Sequence, residues 1–276
     1  MARTDALSVM SNTDKDKLLE IKGGLIESIQ KIAKSEGIKN KLYSGDLNAG
    51  SVEVSRFINA VAQKYGTART AGKGTLLNNK GKVTVNLDQH KEIVEEISKF
   101  DVDTIGIPEI VESRKAGHVR RMIADLDKAF FAEAETAGTA VTLTATTKED
   151  KVEELIQSLE TLENEYVDGV DRELMILSLT PKAYGALRNH IDTVQNANVE
   201  TDAEEIEVFH GVTVISNHRQ TKDAVLMVIG SIAQPIKVYD YDIEKINLSN
   251  DLALELFYDY GTKAIAPDLI KTAELK

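Results

Sequence analysis

Of the residue types that do chemistry, this chain offers five histidines, His90, His118, His190, His210 and His218, and no two stand at the i, i+4 spacing of a helical zinc site. Scattered in this way, they read as surface or packing residues. The stretch Gly66 to Lys73 approaches a phosphate-binding loop, but five residues separate its glycines where four are needed, and Gly74 stands where a magnesium-binding Ser or Thr belongs. Gly72-x-Gly74 lacks the third glycine of a dinucleotide fingerprint because position 77 is Leu. A glycine-rich bend is the expected structure. Asp101-x-Asp103 and Asp240-x-Asp242 are the acidic pairs able to hold a divalent cation, although such pairs at strand ends are ordinarily solvated. No G-x-S-x-G elbow is present, and serines such as Ser178 and Ser216 have no base that sequence assigns to them. The chain has no cysteine, which excludes disulfides, thiolate metal sites and thiol nucleophiles. The expectation is a protein with no catalytic, metal-binding or cofactor-binding residues.

Charge is more informative. Residues 1–82 carry 14 Lys and Arg against 8 Asp and Glu, whereas residues 83–276 carry 19 against 37. Within the basic end, Arg56, Lys64, Arg69, Lys73, Lys80 and Lys82 follow one another without an intervening carboxylate. The acidic end includes a loop at 192–207 holding Asp192, Glu200, Asp202, Glu204, Glu205 and Glu207. A chain built this way is able to bind copies of itself, its basic limb lying on the acidic body of a neighbour. A net charge of −12 argues against a dedicated duplex-binding protein. The absence of Trp and the low aromatic content argue against stacking platforms.

These residues must be positioned by a mixture of helices and strands. Leu18, Leu19, Ile21, Leu25, Ile26, Ile29, Ile32 and Ala33 follow helical spacing over Lys15 to Lys34, and residues 36–50 read as a linker. A short helix is expected within Ser51 to Gly66. Two or three strands are expected from 76 to 100, with turns at Asn78 to Gly81 and Asp88 to His90, because Val83, Val85 and Leu87 alternate with polar residues. Such a hairpin has one thin apolar face and must lie on something else. Pro108 opens a helix of about 29 residues, roughly 43 Å long, with Val111, Val119, Met122, Ile123, Leu126 and Phe130 on one face and Gly138 as its stop. Thr147-x-x-Asp150 caps a second helix, which carries Val152, Leu155, Ile156, Leu159, Leu162 and Tyr166 on one face. Strands follow at Leu174 to Leu179, Val212 to Ser216, Ala224 to Ile229, Lys237 to Ile243 and Leu252 to Ile265, with a short helix after Pro181. There is no βαβ rhythm, so the class is α+β. The longest apolar run is six residues, Ala224 to Ile229, and Met1 to Lys17 has no apolar core, so neither a membrane span nor a signal peptide is expected.

The order and length of these elements resemble the major capsid protein family of tailed bacteriophages, the fold shared with encapsulins. The stretches that carry the resemblance are SVEVSRFINAVAQKYGTARTAGKG (51–74), VTVNLDQHKEIVEEI (83–97), RRMIADLDKAFFAEA (120–134), LMILSLTPKAYGALRN (174–189), HGVTVIS (210–216) and ELFYDYGTKAIAPDLI (255–270). The resemblance implies an N-terminal arm at 1–65, an extended hairpin loop at 66–103, a peripheral domain at 104–139 and 236–276 built on a long spine helix, and an axial domain at 140–235. Function would be self-assembly through hexamers and pentamers into an icosahedral shell around double-stranded DNA, without sequence-specific contacts. An encapsulin-type nanocompartment and, in a different class, a nucleotide- or metal-dependent enzyme using Asp240 and Asp242 are the alternatives. On the capsid reading, Arg69, Lys73, Lys80 and Lys82 contact a neighbouring subunit, with Glu153 and Glu154 as candidate acidic partners. Glu200, Asp202, Glu204 and Glu205 surround the capsomer axis. A separate scaffolding protein and a portal are implied partners, a membrane is not, and the location implied is the virion capsid, assembled in the host bacterial cytoplasm.

Overall fold

The computed structural model describes residues 12–58, 62–73, 81–193 and 206–275. In chain order the elements are α1 (Asn12–Ile32), β1 (Ser51–Arg56), α2 (Thr67–Ala71), β2 (Gly81–Asn86), β3 (Gln89–Ile97), α3 (Lys99–Ile105), α4 (Ile107–Ala137) and β4 (Thr139–Ala140). They continue with α5 (Lys148–Glu160), β5 (Met175–Leu179), α6 (Pro181–Thr193), β6 (Val208–Phe209), β7 (Val212–Ser216), β8 (Ala224–Val228) and β9 (Ile232–Ala233). The last are β10 (Ile236–Lys245), β11 (Leu252–Tyr260), β12 (Lys263–Ala264) and β13 (Ile270–Ala273). This is the α+β class that the sequence implied. Contacts divide the chain into one unit of Met1–Glu36, Leu87–Asp127 and Pro235–Gly261, and a second of Gly37–Asn86, Lys128–Gln234 and Thr262–Lys276.

In the first unit, β10, β11 and β3 form an antiparallel sheet in that order. Alternation along β11 buries Leu252, Leu254, Leu256, Tyr258 and Tyr260 on one face. The long helix α4 covers that face. Tyr258 Oη donates to Asp125 Oδ2 at 3.0 Å, Tyr241 Oη lies 2.9 Å from His118 Nδ1, and Arg114 makes a two-point pair with Glu95 of β3. The expected stripe Val111, Val119, Met122, Ile123 and Leu126 is buried along α4. Helix α1 packs against β10 and buries Leu25 and Ile29, with Ala33 one turn on, while Leu19 and Ile32 stay exposed. After α1, the backbone N–H and the hydroxyl of Ser35 both donate to the fully buried Asp127 Oδ1, at 3.0 and 2.8 Å.

The second unit is built on a six-stranded sheet of order β4-β13-β8-β5-β7-β6, with β13–β4 and β5–β7 parallel and the other pairs antiparallel. One face packs on α5 and α6 through Val152, Leu155, Ile156, Leu159 and Leu187. The opposite face packs on the end of α4, where Phe130, Phe131 and Ala134 meet Ile176, Val225 and Met227. Position 138, just past the end of α4, has no room for a side chain. A Cβ there would lie 2.6 Å from the Ala134 carbonyl oxygen and 2.8 Å from Ile270 Cγ2.

Several sequence expectations change. Residues 51–56 are a strand, not a helix, because Val52 and Val54 alternate with Ser51, Glu53 and Ser55 and bury against Val85, Ala233 and Ile265. The strand β1 therefore takes β2 as its antiparallel partner, with Val52 opposite Val85, and β3 leaves to pair along its whole length with β11. The ribbon is thus β1–β2, and the strands on either side of Leu87 and Asp88 do not fold onto each other. SKF, read as the end of a strand, opens α3, with Ser98 accepting from the Asp101 N–H at 3.3 Å. The second helix ends at Glu160 rather than reaching Tyr166. Its start is as expected, Thr147 accepting from the Asp150 N–H and donating to Asp150 Oδ2 at 2.6 Å. The final long strand divides into β11 and β12, and β13 was not foreseen.

Candidate assembly surfaces

The cations of the basic run do three different things. Arg56, at the end of β1, turns inward: its guanidinium pairs with both oxygens of Asp268 at 2.5 and 2.8 Å, and lies 4.0 Å from the centre of the Tyr166 ring. Asn164 adds a 2.7 Å hydrogen bond to Asp268 Oδ2. Burial works to raise the Asp268 pKa, but the hydrogen bonds from Arg56 and Asn164 outweigh it and hold the carboxyl below its ordinary range. Lys82 is exposed and pairs across the ribbon with Glu53 at 2.8 Å, a hydrogen bond that raises the lysine pKa. Arg69, on α2, and Lys73, just beyond it, are exposed, as are Lys64 and Tyr65. Lys80 lies outside the described residues, as do Glu200, Asp202, Glu204 and Glu205. The structure thus brings Arg69 and Lys73 onto one exposed segment and sets Lys82 on the ribbon beside Glu53.

The two acidic residues singled out as partners for that limb are also committed within the subunit. Glu153 accepts from Arg172 Nη2 at 2.8 Å and sits 2.6 Å from His210 Nδ1. The Arg172 hydrogen bonds, opposed by burial and supported by His210 and Gln157, take its pKa down to about 2. Glu154 accepts the backbone N–H groups of Ala145 and Thr144 at 3.0 and 2.8 Å, and these depress its pKa. Both carboxylates tie α5 to neighbouring segments of the same unit. A cluster of charge on a helix cannot be told from an interface by sequence when its partners are distant in sequence.

Sequence reading did not assemble the open face of the β10-β11-β3 sheet. Alternation that buries Leu254, Leu256 and Tyr258 necessarily turns Glu255, Phe257 and Asp259 outward, and the strand register sets Asp242 opposite Glu255, Glu92 opposite Phe257 and His90 opposite Asp259. The result is a shallow groove of about 700 Å³, lined by Glu92, Asp242, Glu244, Glu255 and Asp259 around Phe257 and Tyr239. Asp259 is stabilised as an anion: burial opposes this, but the Tyr239 hydroxyl at 2.5 Å and His90 at 2.8 Å prevail. Glu255 is the opposite case. Burial first, then the like charges of Glu244, Asp242 and Glu92, push its pKa up. The signal in sequence was the alternation of β11, which needed the register of two further strands to become a face.

The groups that suggested chemistry are occupied otherwise. Ser178 is fully buried and its hydroxyl donates to Gln220 Oε1 at 2.5 Å. Asp103 pairs with Lys99 at 2.5 Å, and Asp242 Oδ1 accepts from the Ile243 N–H at 2.7 Å. His190 lies 3.1 Å from Glu149. The stretch from Gly66 to Lys73 is a left-handed glycine followed by the five-residue helix α2. Among the described residues, no group of three or more His, Asp or Glu side chains is arranged to hold a metal ion, and no helix is long and apolar enough to cross a membrane.

This mixture of helices and sheets is the fold seen in phage capsid structures. The chain is similar to a structure from Mycobacterium phage Che8 at 16% identity, covering 100% of this chain and 96% of that one with a TM-score of 0.59. It is similar to the capsid of cyanophage P-SCSP1u at 10% identity, over 86% and 85% of the two chains, with a TM-score of 0.60. A virus-like particle from Pyrococcus furiosus matches at 10% identity over 93% and 99%, with a TM-score of 0.59. No protein-family model and no curated protein matches the sequence.

Proposed function

We propose that this chain is a major capsid protein, which assembles through hexamers and pentamers into an icosahedral shell enclosing double-stranded DNA. The observation that carries the reading is the fold match over 86–100% of this chain and 85–96% of the two phage structures. The reading is structural, not catalytic. The ribbon β1–β2 and the segment beyond it serve as the extended loop, the three-stranded sheet with α4 as the peripheral domain, and the six-stranded sheet with α5 and α6 as the axial domain. Residues 1–65 include the N-terminal arm, which Ser35 fastens to α4. Arg69, Lys73, Lys80 and Lys82 reach a neighbouring subunit, Lys82 from beside its pair with Glu53, and Glu200, Asp202, Glu204 and Glu205 surround the capsomer axis. A separate scaffolding protein and a portal are the further partners, and assembly takes place in the cytoplasm of a bacterial host.

Many contacts, each worth about 0.2–1 kcal/mol, suffice for such a shell because they repeat at every symmetry-related interface. Sedimentation of the purified chain is expected to give rings or closed shells. A stable monomer at micromolar concentration, with α1 and residues 62–73 resistant to protease, would contradict the reading. The similarity to the Pyrococcus particle supports one alternative, a nanocompartment shell. Particle contents separate the two: DNA for the first, a protein cargo for the second.

A further inference from the structure

The ribbon β1–β2 rests on its own unit through Val52, Val54 and Val85, which pack with Ala233 and Ile265. Two strands alone are at best marginally stable, so the direction of the ribbon depends on what holds it. Arg56, opposite Gly81, is the last residue of β1, and beyond it residues 62–65 and 69–73 are exposed. On the reading of the chain as a shell subunit, we infer that Asp268, Asn164 and Tyr166 form a socket for Arg56. The socket fixes the direction in which the chain leaves β1, which makes Arg56 a positioning residue for assembly.

Each part of the socket restricts a different motion. Two guanidinium nitrogens of Arg56 meet the two oxygens of Asp268, at 2.5 and 2.8 Å, so the group cannot pivot about a single contact. The Tyr166 ring, 4.0 Å away at its centre, closes one face of the guanidinium plane. Asn164 holds both partners in place. Its side-chain oxygen accepts from the N–H groups of Tyr166 and Val167 at 2.8 and 2.9 Å, while its amide donates to Asp268 Oδ2 at 2.7 Å. Pro267 opens the short turn that carries Asp268 and fixes the backbone on that side.

The chemistry of the socket selects arginine. A lysine ammonium would match the charge but neither the fork nor the flat stack. The other ion pair of the ribbon differs in kind: Lys82 and Glu53 join β2 to β1, with side chains 60% and 46% exposed. Arg56 and Asp268 are 18% and 29% exposed and lie 212 residues apart in sequence. Strand pairing does not need such a tie; what the tie constrains is the strand relative to the body. Presenting the exposed segment in one direction lowers the ordering cost of each contact it makes, and a shell repeats that contact at every equivalent interface.

The test uses the full chain with Arg56→Lys, which keeps the charge and removes the fork and the stack. The chain is free of cysteine, so Lys64→Cys and Lys182→Cys, both exposed, accept a pair of spin labels, one on the segment and one on α6 of the same unit. In the unassembled chain Arg56→Lys is expected to widen the spread of label distances about twofold or more, while melting falls by no more than about 4 °C. Tyr166→Phe keeps the ring and is expected to match the wild-type distances.

The second measurement is assembly of the unlabelled chains. The concentration needed for shell formation is expected to rise about tenfold or more in Arg56→Lys and to stay within about twofold of wild type in Tyr166→Phe. Wider distances together with this rise support the inference. Unchanged distances in Arg56→Lys overturn it, as does normal shell formation from a chain whose distances have widened, and both leave the shell reading intact. Should Arg56→Lys fail to fold, Asp268→Asn, which keeps Arg56 and weakens the fork, is read by the same two measurements. Wild-type chain that forms no particles overturns the shell reading and the role in assembly, while the label distances still decide whether the socket holds the segment.

Discussion

The six-stranded sheet is covered on both faces, and the three-stranded sheet on one. Strand β5 is buried at every position, with Met175, Leu177 and Leu179 facing α5 and α6 and Ile176 facing Phe130 and Phe131. Strand β11 alternates, its inner residues under α4 and its outer residues Glu255, Phe257 and Asp259 less buried. The first pattern makes a body that is complete as a single chain. The second leaves one face of the sheet open, with Glu255, Phe257 and Asp259 on it.

The largest expected effect separates the two sheets directly. Replacing Leu177, fully buried, by Ala should cost about 2–5 kcal/mol of stability, whereas Phe257→Ala should cost less than about 1 kcal/mol in the unassembled chain. Denaturant melts of both variants measure this. Equal losses would mean that the chain covers its own outer face. Next in size is Asp127→Ala, which strands the buried N–H and hydroxyl of Ser35 and should cost roughly 1–3 kcal/mol. Proteolysis within α1 should also accelerate, and unchanged cleavage would show that the arm is held by α1 packing alone.

A smaller effect is expected at the base of the ribbon. Asp268→Asn weakens the pair with Arg56 and should cost about 1 kcal/mol, because the pair is partly solvated. The sign with pH follows from the depressed carboxyl. Its stabilisation is present above the ordinary carboxylate range and is lost as pH falls through the lower folded value, so wild type should lose more stability below about pH 4 than the variant does. Identical acid limbs would remove this pair from the account. Glu153, at about 2, acts with the same sign: the stability it lends is lost as pH falls from the ordinary carboxylate range toward that value, and Arg172→Leu should flatten this part of the melt-versus-pH curve. Lys82→Ala is expected to leave the melting temperature unchanged, since its pair with Glu53 is largely solvated.

Much of this was legible in the sequence because local rules and tertiary packing agreed. The apolar-rich runs MILSL and AVLMV marked strands, and the stripe on α4, the Thr147 cap and the Gly138 stop all correspond to elements observed. What escaped were pairings between distant segments. Ser51–Arg56 is a strand because β2 and Ile265 meet its valines, a fact that no window around residue 51 contains. Arg56 looked equivalent to Arg69, yet Asp268, far along the chain, turned it into an anchor. Likewise Arg172 and His210, which hold Glu153, lie beyond its own helix. The acidic face was present in sequence as alternation, but only the register gathered three strands into one surface.

Electron microscopy of particles formed by the purified chain tests the central claim most directly, because it reads the shell itself. The account predicts closed icosahedral shells built from rings of six and five subunits. A population of single chains would contradict it.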